Sequence, residues 1–410
     1  MKNKYTYASV VPLIGGETLG IMETLNGQLP EYMLSYTPFK NNDSHFVSYL
    51  REKHNWKGDY VFIDEETYTP KMAVDVVNTV CPCAGLSSLS VSSSPDNELN
   101  EWMYHTAEYV LQHLSPKVFW GENAPRLSSP AGGKVARRLH EIGLKYGYSL
   151  NLYYTESRIH GLSQKRPRTF YFFTKDPEAA PLFDYFHREA EPVENILRKA
   201  VEKDDPMNIL INKAKPLENA WIAYCAHKLG AKTTLELYEK IDKTRNCIRF
   251  SDELSENLND VADWMDANGF NEKFGKRARN MQLKVEDNKG YWAHGVTMPK
   301  GIIPSLIAGL PTGLINPFND SYLTIRDCFR IMKMPDDFNL LGENPLSNLN
   351  HICQNVPVTT AADMMKTVVN YLDGNLDSVR ASFVKQNNAK RKHEILSSSV
   401  EVEEIDQFFV

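Results

Sequence analysis

The sequence predicts an α/β protein with a mostly parallel sheet and a second, smaller domain. The chain has 410 residues, which is more than the roughly 250–300 residues at which a single core stops growing. Between residues 7 and 174, short apolar runs that predict strands alternate with runs of helical periodicity, as in an α/β sheet. From 175 to 320 this alternation is lost, and after 322 it returns.

The composition excludes several classes of protein. No apolar run approaches the about 20 residues of a membrane span, and the lysine-rich start lacks the apolar core of a signal peptide. The six cysteines show neither zinc-ligand spacing nor a disulfide framework, so we expect a cytoplasmic protein without a metal. The formal net charge of −6 still allows nucleic acid as a partner, because binding needs only a local basic surface.

The first predicted strand, residues 7–14, leads into Gly15 and Gly16 and then into a helix. A strand that runs into glycines and a helix is the general form of a nucleotide site, although a tight strand-to-helix turn would explain it equally well. Further strands are predicted at 32–36, 60–64 and 74–80, with a helix at 43–53.

The valine-rich strand at 74–80 ends in Pro82-Cys83, which places Cys83 on a loop. Loops at the carboxyl ends of parallel strands are where α/β sheets keep their reactive groups. Most free cysteines are buried structural thiols, so a nucleophile at Cys83 needs partners elsewhere in the chain. The next strand, which begins at Val118, supplies a carboxylate at Glu122, followed by an amide.

Arg166 and Arg168 precede a predicted strand at 169–173. Two arginines two residues apart in an extended segment point to the same face, and the aromatic strand beside them favours a fixed role over a surface charge pair. The remaining predicted elements are a strand at 148–154 and helices at 97–114, around 135–142, at 323–332 with Thr324 as N-cap, and at 361–372.

The order of these motifs resembles that of the DNA cytosine-5 methyltransferases, over residues 7–174 and 320–372. The matching segments are Pro82-Cys83 (the family's Pro-Cys loop), Glu122-Asn123-Ala124 (its Glu-Asn-Val motif), Gln164 to Arg168 (its Gln-x-Arg-x-Arg motif), and 323–327 with 335–338. The resemblance implies a Rossmann-like S-adenosylmethionine-dependent methyltransferase fold. The implied parts are a catalytic domain at 1–174 and 321–373, a target-recognition domain at 175–320, and a polar linker and tail at 374–410.

The resemblance also implies the chemistry. Cys83 would attack C6 of a cytosine flipped out of double-stranded DNA, so that a group can be transferred to C5. Glu122 would stabilise the intermediate at N3 and the exocyclic amine, and Arg166 and Arg168 would hold the base and the carboxylate. The implied donor contacts are Leu13, Ile14, Gly15, Gly16, Tyr36, Asp64, Pro82 and Asn355. The predicted DNA contacts are Ser87, Gln164, Lys273, Lys276, Arg277 and Arg279, of which the four basic residues could equally form a solvated helix face.

The donor motifs depart from the family. The loop Val11 to Gly16 lacks the aromatic and the first glycine of Phe-x-Gly-x-Gly-Gly, residues 34–39 lack the carboxylate that binds the ribose, and residues 353–357 lack a Gly-Asn pair. A lost charge-assisted bond of about 1.5–3 kcal/mol would weaken donor binding roughly ten- to a hundredfold. Three hypotheses remain: a methyltransferase in which Tyr36 or Glu31 compensates, a cytosine-modifying enzyme with a non-standard donor, and an inactive DNA-binding homologue.

The last residues, 403–410, combine acidic and aromatic side chains. Ile405 to Phe409 resembles the short peptides that dock on replication sliding clamps, so a clamp is a second expected partner.

Overall fold

The computed structural model describes residues 4–64, 72–82, 85–87, 93–175, 180–183, 186–241, 248–249, 257–287, 295–296, 298–307, 314–340, 342 and 344–377. The chain divides into two compact units. The first unit comprises Met1–Ala190, Met332–Leu341 and His351–Val410, and the second comprises Glu191–Ile331 and Gly342–Asn350. The roles predicted for the domains stay predictions.

The first unit is built on a seven-stranded sheet with the order β3-β2-β1-β4-β5-β8-β6. The strands, with the short β7, are β1 (Tyr7–Val10), β2 (Tyr32–Ser35), β3 (Asp59–Phe62), β4 (Val76–Thr79), β5 (Val118–Asn123), β6 (Ser149–Glu156), β7 (Gln164–Lys165) and β8 (Pro167–Thr174). β1 to β5 pair in parallel, and β8 pairs antiparallel with β5 and β6. The strand order reverses at β1, and the crevice at such a reversal is where open α/β sheets bind ligands.

Helices connect these strands as the sequence pattern predicts. They are α1 (Gly16–Thr24), α2 (Lys40–His54), α3 (Glu101–Tyr109), α4 (Gly133–Lys145), α5 (Val193–Leu197), α6 (Ala220–Leu229), α7 (Thr234–Lys240), α8 (Leu258–Ala267), α9 (Glu272–Glu286), α10 (Ile325–Ile331), α11 (Pro345–Gln354) and α12 (Val358–Leu372). α1 packs closely on α12. The contact leaves no room for a side chain at Gly20, where a Cβ would lie 2.5 Å from the Val358 carbonyl oxygen.

Several predicted boundaries shift for local reasons. β1 ends at Val10, four residues earlier than predicted, because Val11 adopts a left-handed φ of 50°. The predicted helix at 97–114 is a 3₁₀ turn at Glu98–Asn100, then α3, then a π turn at Val110–Leu114. The predicted cap of the helix after 322 is confirmed, since Asp327 accepts the Thr324 N–H (2.9 Å) while Thr324 Oγ1 accepts the Asp327 N–H (3.1 Å).

The second unit has its own apolar core. Its centre is a cluster that includes Trp221, Tyr224, Leu237, Val261, Met265, Ala278, Ile315 and Tyr322. Short strand pairs join Ile248–Arg249 to Gly295–Val296 and Ile315–Asn316 to Ser321–Tyr322, and Ile303–Pro304 is a further short strand. Across the part of the chain that the structure describes, no helix is long and apolar enough to cross a bilayer.

Candidate active site

Polar side chains from two neighbouring strands meet at the carboxyl edge of the first unit's sheet. β4 and β5 are parallel neighbours, so Pro82, just after β4, lies beside Asn123 at the end of β5. Asn123 Nδ2 donates to the Pro82 carbonyl (3.5 Å), and Asn123 Oδ1 accepts the Ala124 N–H (2.8 Å). Asn123 thus ties the start of the Pro-Cys loop to β5. Cys83 itself lies outside the described residues, and its role stays a prediction.

Glu122 and Arg168 form an ion pair at this edge, between Glu122 Oε1 and Arg168 Nε. The sheet register explains the pair: Glu122 lies opposite Phe170 on β8, and Arg168, two residues away, projects on the same face. The Glu122 side chain is 2% exposed and that of Arg168 13%. A buried pair of this kind costs desolvation energy that its mutual attraction often only balances. The pair is therefore weak evidence for a role in stability alone.

Arg166 lies between β7 and β8, so the alternation of side-chain direction along β8 does not determine which way Arg166 points. Its side chain is buried, and Nη2 donates to the carbonyls of Cys353 (2.7 Å) and Asn355 (3.0 Å). Asn355 Oδ1 in turn accepts the Gly16 N–H at 2.9 Å. Arg166 therefore supports the segment that contacts the loop between β1 and α1.

That loop makes a tight, buried turn. Gly15 has a φ of 83°, and Leu13 has a φ of 51°, while Leu13 and Ile14 are 5% and 0% exposed. In the direction of a side chain both glycines meet the protein's own atoms: a Cβ on Gly15 would lie 2.1 Å from the Phe46 ring, and one on Gly16 would lie 2.0 Å from the Val356 carbonyl oxygen. Both glycines are thus required by the geometry, as the sequence pattern predicts.

The ends of β2 and β3 carry a group of aromatic residues and one carboxylate. Tyr36 is buried against Trp102 of α3, with ring centroids 4.8 Å apart, and Trp102 lies 5.2 Å from Phe39. Phe39 and Trp102 stay partly exposed. Asp64, which is exposed, accepts the Thr37 N–H through both carboxylate oxygens (2.9 and 3.1 Å). A flat heterocycle with an amine could bind here.

Two compensations for the missing ribose carboxylate are not favoured by the structure. The Tyr36 hydroxyl is hydrogen-bonded to the Thr106 hydroxyl at 3.0 Å, and burial raises the pKa of Tyr36 well above its usual range. Glu31 precedes β2, so it lies at the amino end of a parallel strand, away from the carboxyl edge. The hypothesis that Glu31 compensates is therefore wrong on geometric grounds.

A model of the C-5 cytosine-specific DNA methylase family matches residues 13–370, most of the chain. The chain belongs to this family. The protein is therefore classed as a DNA cytosine methyltransferase, and the resemblance found in its motifs is confirmed.

Solved structures agree with this methylase assignment at the level of the fold. A prophage-encoded DNA modification methyltransferase from E. coli matches 90% of this chain and 100% of its own, with a TM-score of 0.55 and 14% identity. The Entamoeba histolytica methyltransferase EhMeth matches 90% and 99%, with a TM-score of 0.53 and 12% identity. The predicted Rossmann-like methyltransferase fold is confirmed. Comparison with curated proteins gives no match.

The predicted DNA contacts of this methylase fall into different environments. Lys273, Lys276 and Arg277 are exposed on α9 of the second unit. Arg279 Nη2, in contrast, donates to Asp263 (2.6 Å) and Asp266 (2.7 Å) of α8. Because two carboxylates already neutralise Arg279, it fastens α9 to α8, and we withdraw it as a phosphate contact.

The two DNA contacts predicted in the first unit also differ from each other. Gln164 is fully buried, and its Nε2 donates to Met332 Sδ at 3.2 Å, so we withdraw it as a direct DNA contact. Ser87 is partly exposed and follows the Pro-Cys loop, and it stays a prediction. Residues 88–92, which follow Ser87, and residues 403–410 of the predicted clamp peptide lie outside the described residues.

Sequence reasoning missed a buried carboxyl group beneath the site. Glu17, in the first turn of α1, is fully buried and accepts a hydrogen bond from Asn78 Nδ2 at 2.9 Å. Burial, together with the nearby charge of Glu122, raises the pKa of Glu17 well above its usual range. Another fully buried acid, Asp43, lies in a polar run, Lys40 to Ser44, of the kind that is normally exposed to solvent. No local sequence pattern predicts that either residue is buried, because charged residues in helices are normally exposed to solvent.

Proposed function

We propose that this protein methylates C5 of a cytosine flipped out of duplex DNA, with Cys83 as the nucleophile and S-adenosylmethionine as the methyl donor. The observation that carries the proposal is the buried Glu122–Arg168 pair at the carboxyl end of β5, beside the start of the Pro-Cys loop. A pure DNA-binding protein has no use for a desolvated carboxylate held by an arginine at this edge. The inactive homologue is therefore the least favoured hypothesis.

The residues divide the chemistry between them. The Cys83 thiolate adds to C6, so that an S–C6 bond forms and the electrons of the C5–C6 double bond become available at C5. Glu122 faces N3 and the exocyclic amine, where a shared proton and an accepted hydrogen bond stabilise the negative charge that develops on the ring. Arg168 keeps the Glu122 carboxylate in position. Once C5 has been methylated, its proton passes to a water molecule, the electrons of the C5–H bond re-form the C5–C6 double bond, and the S–C6 bond breaks with its electron pair returning to the thiolate.

The described residues fit an adenosine-bearing donor in most respects. S-Adenosylmethionine, when bound, supplies a methyl group activated by its positively charged sulfur. The backbone of the buried turn at Gly15 and Gly16 would lie beside it, the partly exposed rings of Phe39 and Trp102 can contact a purine, and Asp64 can accept from the purine amine. These features support the family's usual donor for this protein.

One observation favours a second candidate. β2 ends at Ser35 and Tyr36 follows it; both are buried, and neither supplies a carboxylate for ribose hydroxyls. A cytosine-modifying enzyme that uses the same covalent activation with a different one-carbon donor would not need that carboxylate. The two candidates share the base-side residues and differ only in the donor.

The test separates donor from base chemistry. Purified protein is titrated with S-adenosylmethionine by calorimetry, and duplex DNA is then assayed for 5-methylcytosine by mass spectrometry of its nucleosides. We expect binding and methylation, and a fall of roughly 10²-fold or more in Glu122→Gln. Glu101→Gln, which loses only a surface pair with Arg138, is the matched control and should keep full activity.

Absence of binding and methylation, combined with a Cys83 adduct on 5-fluorocytosine DNA, would refute the donor assignment and support the second candidate. Absence of any adduct would refute both and leave a DNA-binding homologue.

A further inference from the structure

The loop between β1 and α1 has a backbone conformation that normally requires glycine, although its third residue is leucine. Leu13 has a φ of 51°, in the left-handed region that side chains disfavour. In the Phe-x-Gly-x-Gly-Gly motif that this loop resembles, the position of Leu13 is the first glycine. Leu13 thus adopts a conformation that suits glycine, and something must hold it there.

Asp43 makes the contact that can do so. It lies in the first turn of α2 and is fully buried. Its Oδ1 accepts the Leu13 N–H at 2.8 Å, while Oδ2 accepts from the Ser35 hydroxyl and from the Tyr60 hydroxyl, the latter at 3.2 Å. One carboxylate therefore joins the loop to the end of β2 and to β3.

A second residue of the same helix fixes the loop two positions further on. Phe46, one turn after Asp43, lies against Gly15, where a Cβ would come within 2.1 Å of its ring. Residues i and i+3 share one face of a helix. This face of α2 therefore contacts the loop at two of its three positions with positive φ, Leu13 and Gly15.

We propose that Asp43 is a positioning residue of the donor site, whose carboxylate holds Leu13 in the left-handed conformation and so fixes the loop that receives the donor. The inference rests on the proposed function for the identity of that donor. It explains how the family's first glycine could be lost from this chain while the shape of the turn was kept.

The charge of Asp43 bears on its role. Burial raises the pKa of Asp43 to about 7. The titratable group that faces it is Tyr60 of β3, whose own pKa is raised by burial and by the Asp43 charge, whereas β2 presents the Ser35 hydroxyl and the loop presents a backbone N–H. Because burial favours the protonated form, ionisation of Asp43 above neutral pH destabilises the folded arrangement, whereas Oδ1 can accept the Leu13 N–H in either protonation state.

The experiment uses the full-length chain and four variants: Asp43→Ala, Asp43→Asn, Leu13→Gly and the double variant Asp43→Ala/Leu13→Gly. The first readout is amide hydrogen exchange of the peptide covering residues 11–16 without donor, and the second is calorimetric titration with S-adenosylmethionine. Asp327→Ala is the matched control, because it removes a buried carboxylate that accepts a backbone N–H at 2.9 Å in the second unit.

We expect Asp43→Ala to speed exchange at Leu13 and to weaken donor binding about tenfold or more. Asp43→Asn, whose amide oxygen can still accept the Leu13 N–H, should keep most of the protection. Glycine adopts positive φ without strain, so the double variant should recover donor affinity to within about threefold of wild type while its exchange stays fast. Asp327→Ala should leave the loop peptide unchanged.

Unchanged exchange in Asp43→Ala, or no recovery of affinity in the double variant, would overturn the proposal. If wild-type protein gives no heat with S-adenosylmethionine, the donor assignment fails, and exchange at Leu13 then decides alone whether Asp43 holds the loop.

Discussion

Gly16→Ala tests whether the loop and the segment after α11 fit together as tightly as the structure shows. The added Cβ would lie 2.0 Å from the Val356 carbonyl oxygen and 2.5 Å from Asn355 Nδ2. A backbone oxygen cannot rotate away as the end of a flexible side chain can, so the segment must shift. Overpacking of this kind costs about 1–3 kcal/mol.

Gly133→Ala is the matched control, because Gly133 also begins a helix, and a Cβ there meets no heavy atom within 4 Å. Alanine at an open helical position gains roughly 0.5–1 kcal/mol over glycine. Because Gly16 begins a helix too, this gain applies to both variants and cancels, and we expect them to differ by the overpacking cost of about 1–3 kcal/mol in the free energy of unfolding. Urea denaturation followed by circular dichroism measures the difference, and equal midpoints for the two variants would refute the close fit around Gly16.

Three further predictions concern charged groups. Arg168→Met should cost about 3–5 kcal/mol, because it leaves a buried carboxylate without its partner, whereas Arg138→Met, in a surface pair, should cost about 0–1 kcal/mol; urea denaturation compares them. Asp43 has a pKa of about 7 in the folded protein, whereas its ordinary value is 3.8, so its contribution to folding stability is fully present below about pH 4 and is lost by about pH 7. Wild type should therefore lose about 4 kcal/mol of unfolding free energy relative to Asp43→Asn across that range, as measured by unfolding at several pH values. If Lys276 and Arg277 contact phosphates, replacing both by alanine should lower the slope of log affinity against log salt by about 2, as measured by DNA-binding titrations; an unchanged slope would exclude them.

The strands and helices of the first unit were predictable because their periodicity reflects burial on one face. The capping of α10 was predictable for a similar reason, since Thr324 and Asp327 interact within one turn. Glu122 and Arg168 were recognisable because each belongs to a sequence motif, and the adjacent antiparallel strands β5 and β8 place the two residues side by side.

The buried acids could not be predicted, because their environment is created by residues far along the chain. Asp43 is buried by contacts with Leu13, Ser35 and Tyr60, none of which a local pattern connects. The contacts of Arg166 could not be predicted for the same reason: its acceptors, the carbonyls of Cys353 and Asn355, follow it by almost two hundred residues. Arg279 has a basic local context and acidic spatial neighbours, so the sequence alone pointed to the wrong partner.

Covalent trapping tests the central claim, attack of Cys83 on cytosine, most directly. Fluorine at C5 replaces the proton that must leave, so an adduct formed on 5-fluorocytosine duplex DNA with S-adenosylmethionine accumulates and its cysteine can be mapped by mass spectrometry. Cys81, a buried thiol whose pKa burial raises, is the internal control. We expect the adduct on Cys83, its loss in Cys83→Ala with DNA affinity largely unchanged, and its retention in Cys81→Ala. An adduct or turnover that survives Cys83→Ala would contradict the account.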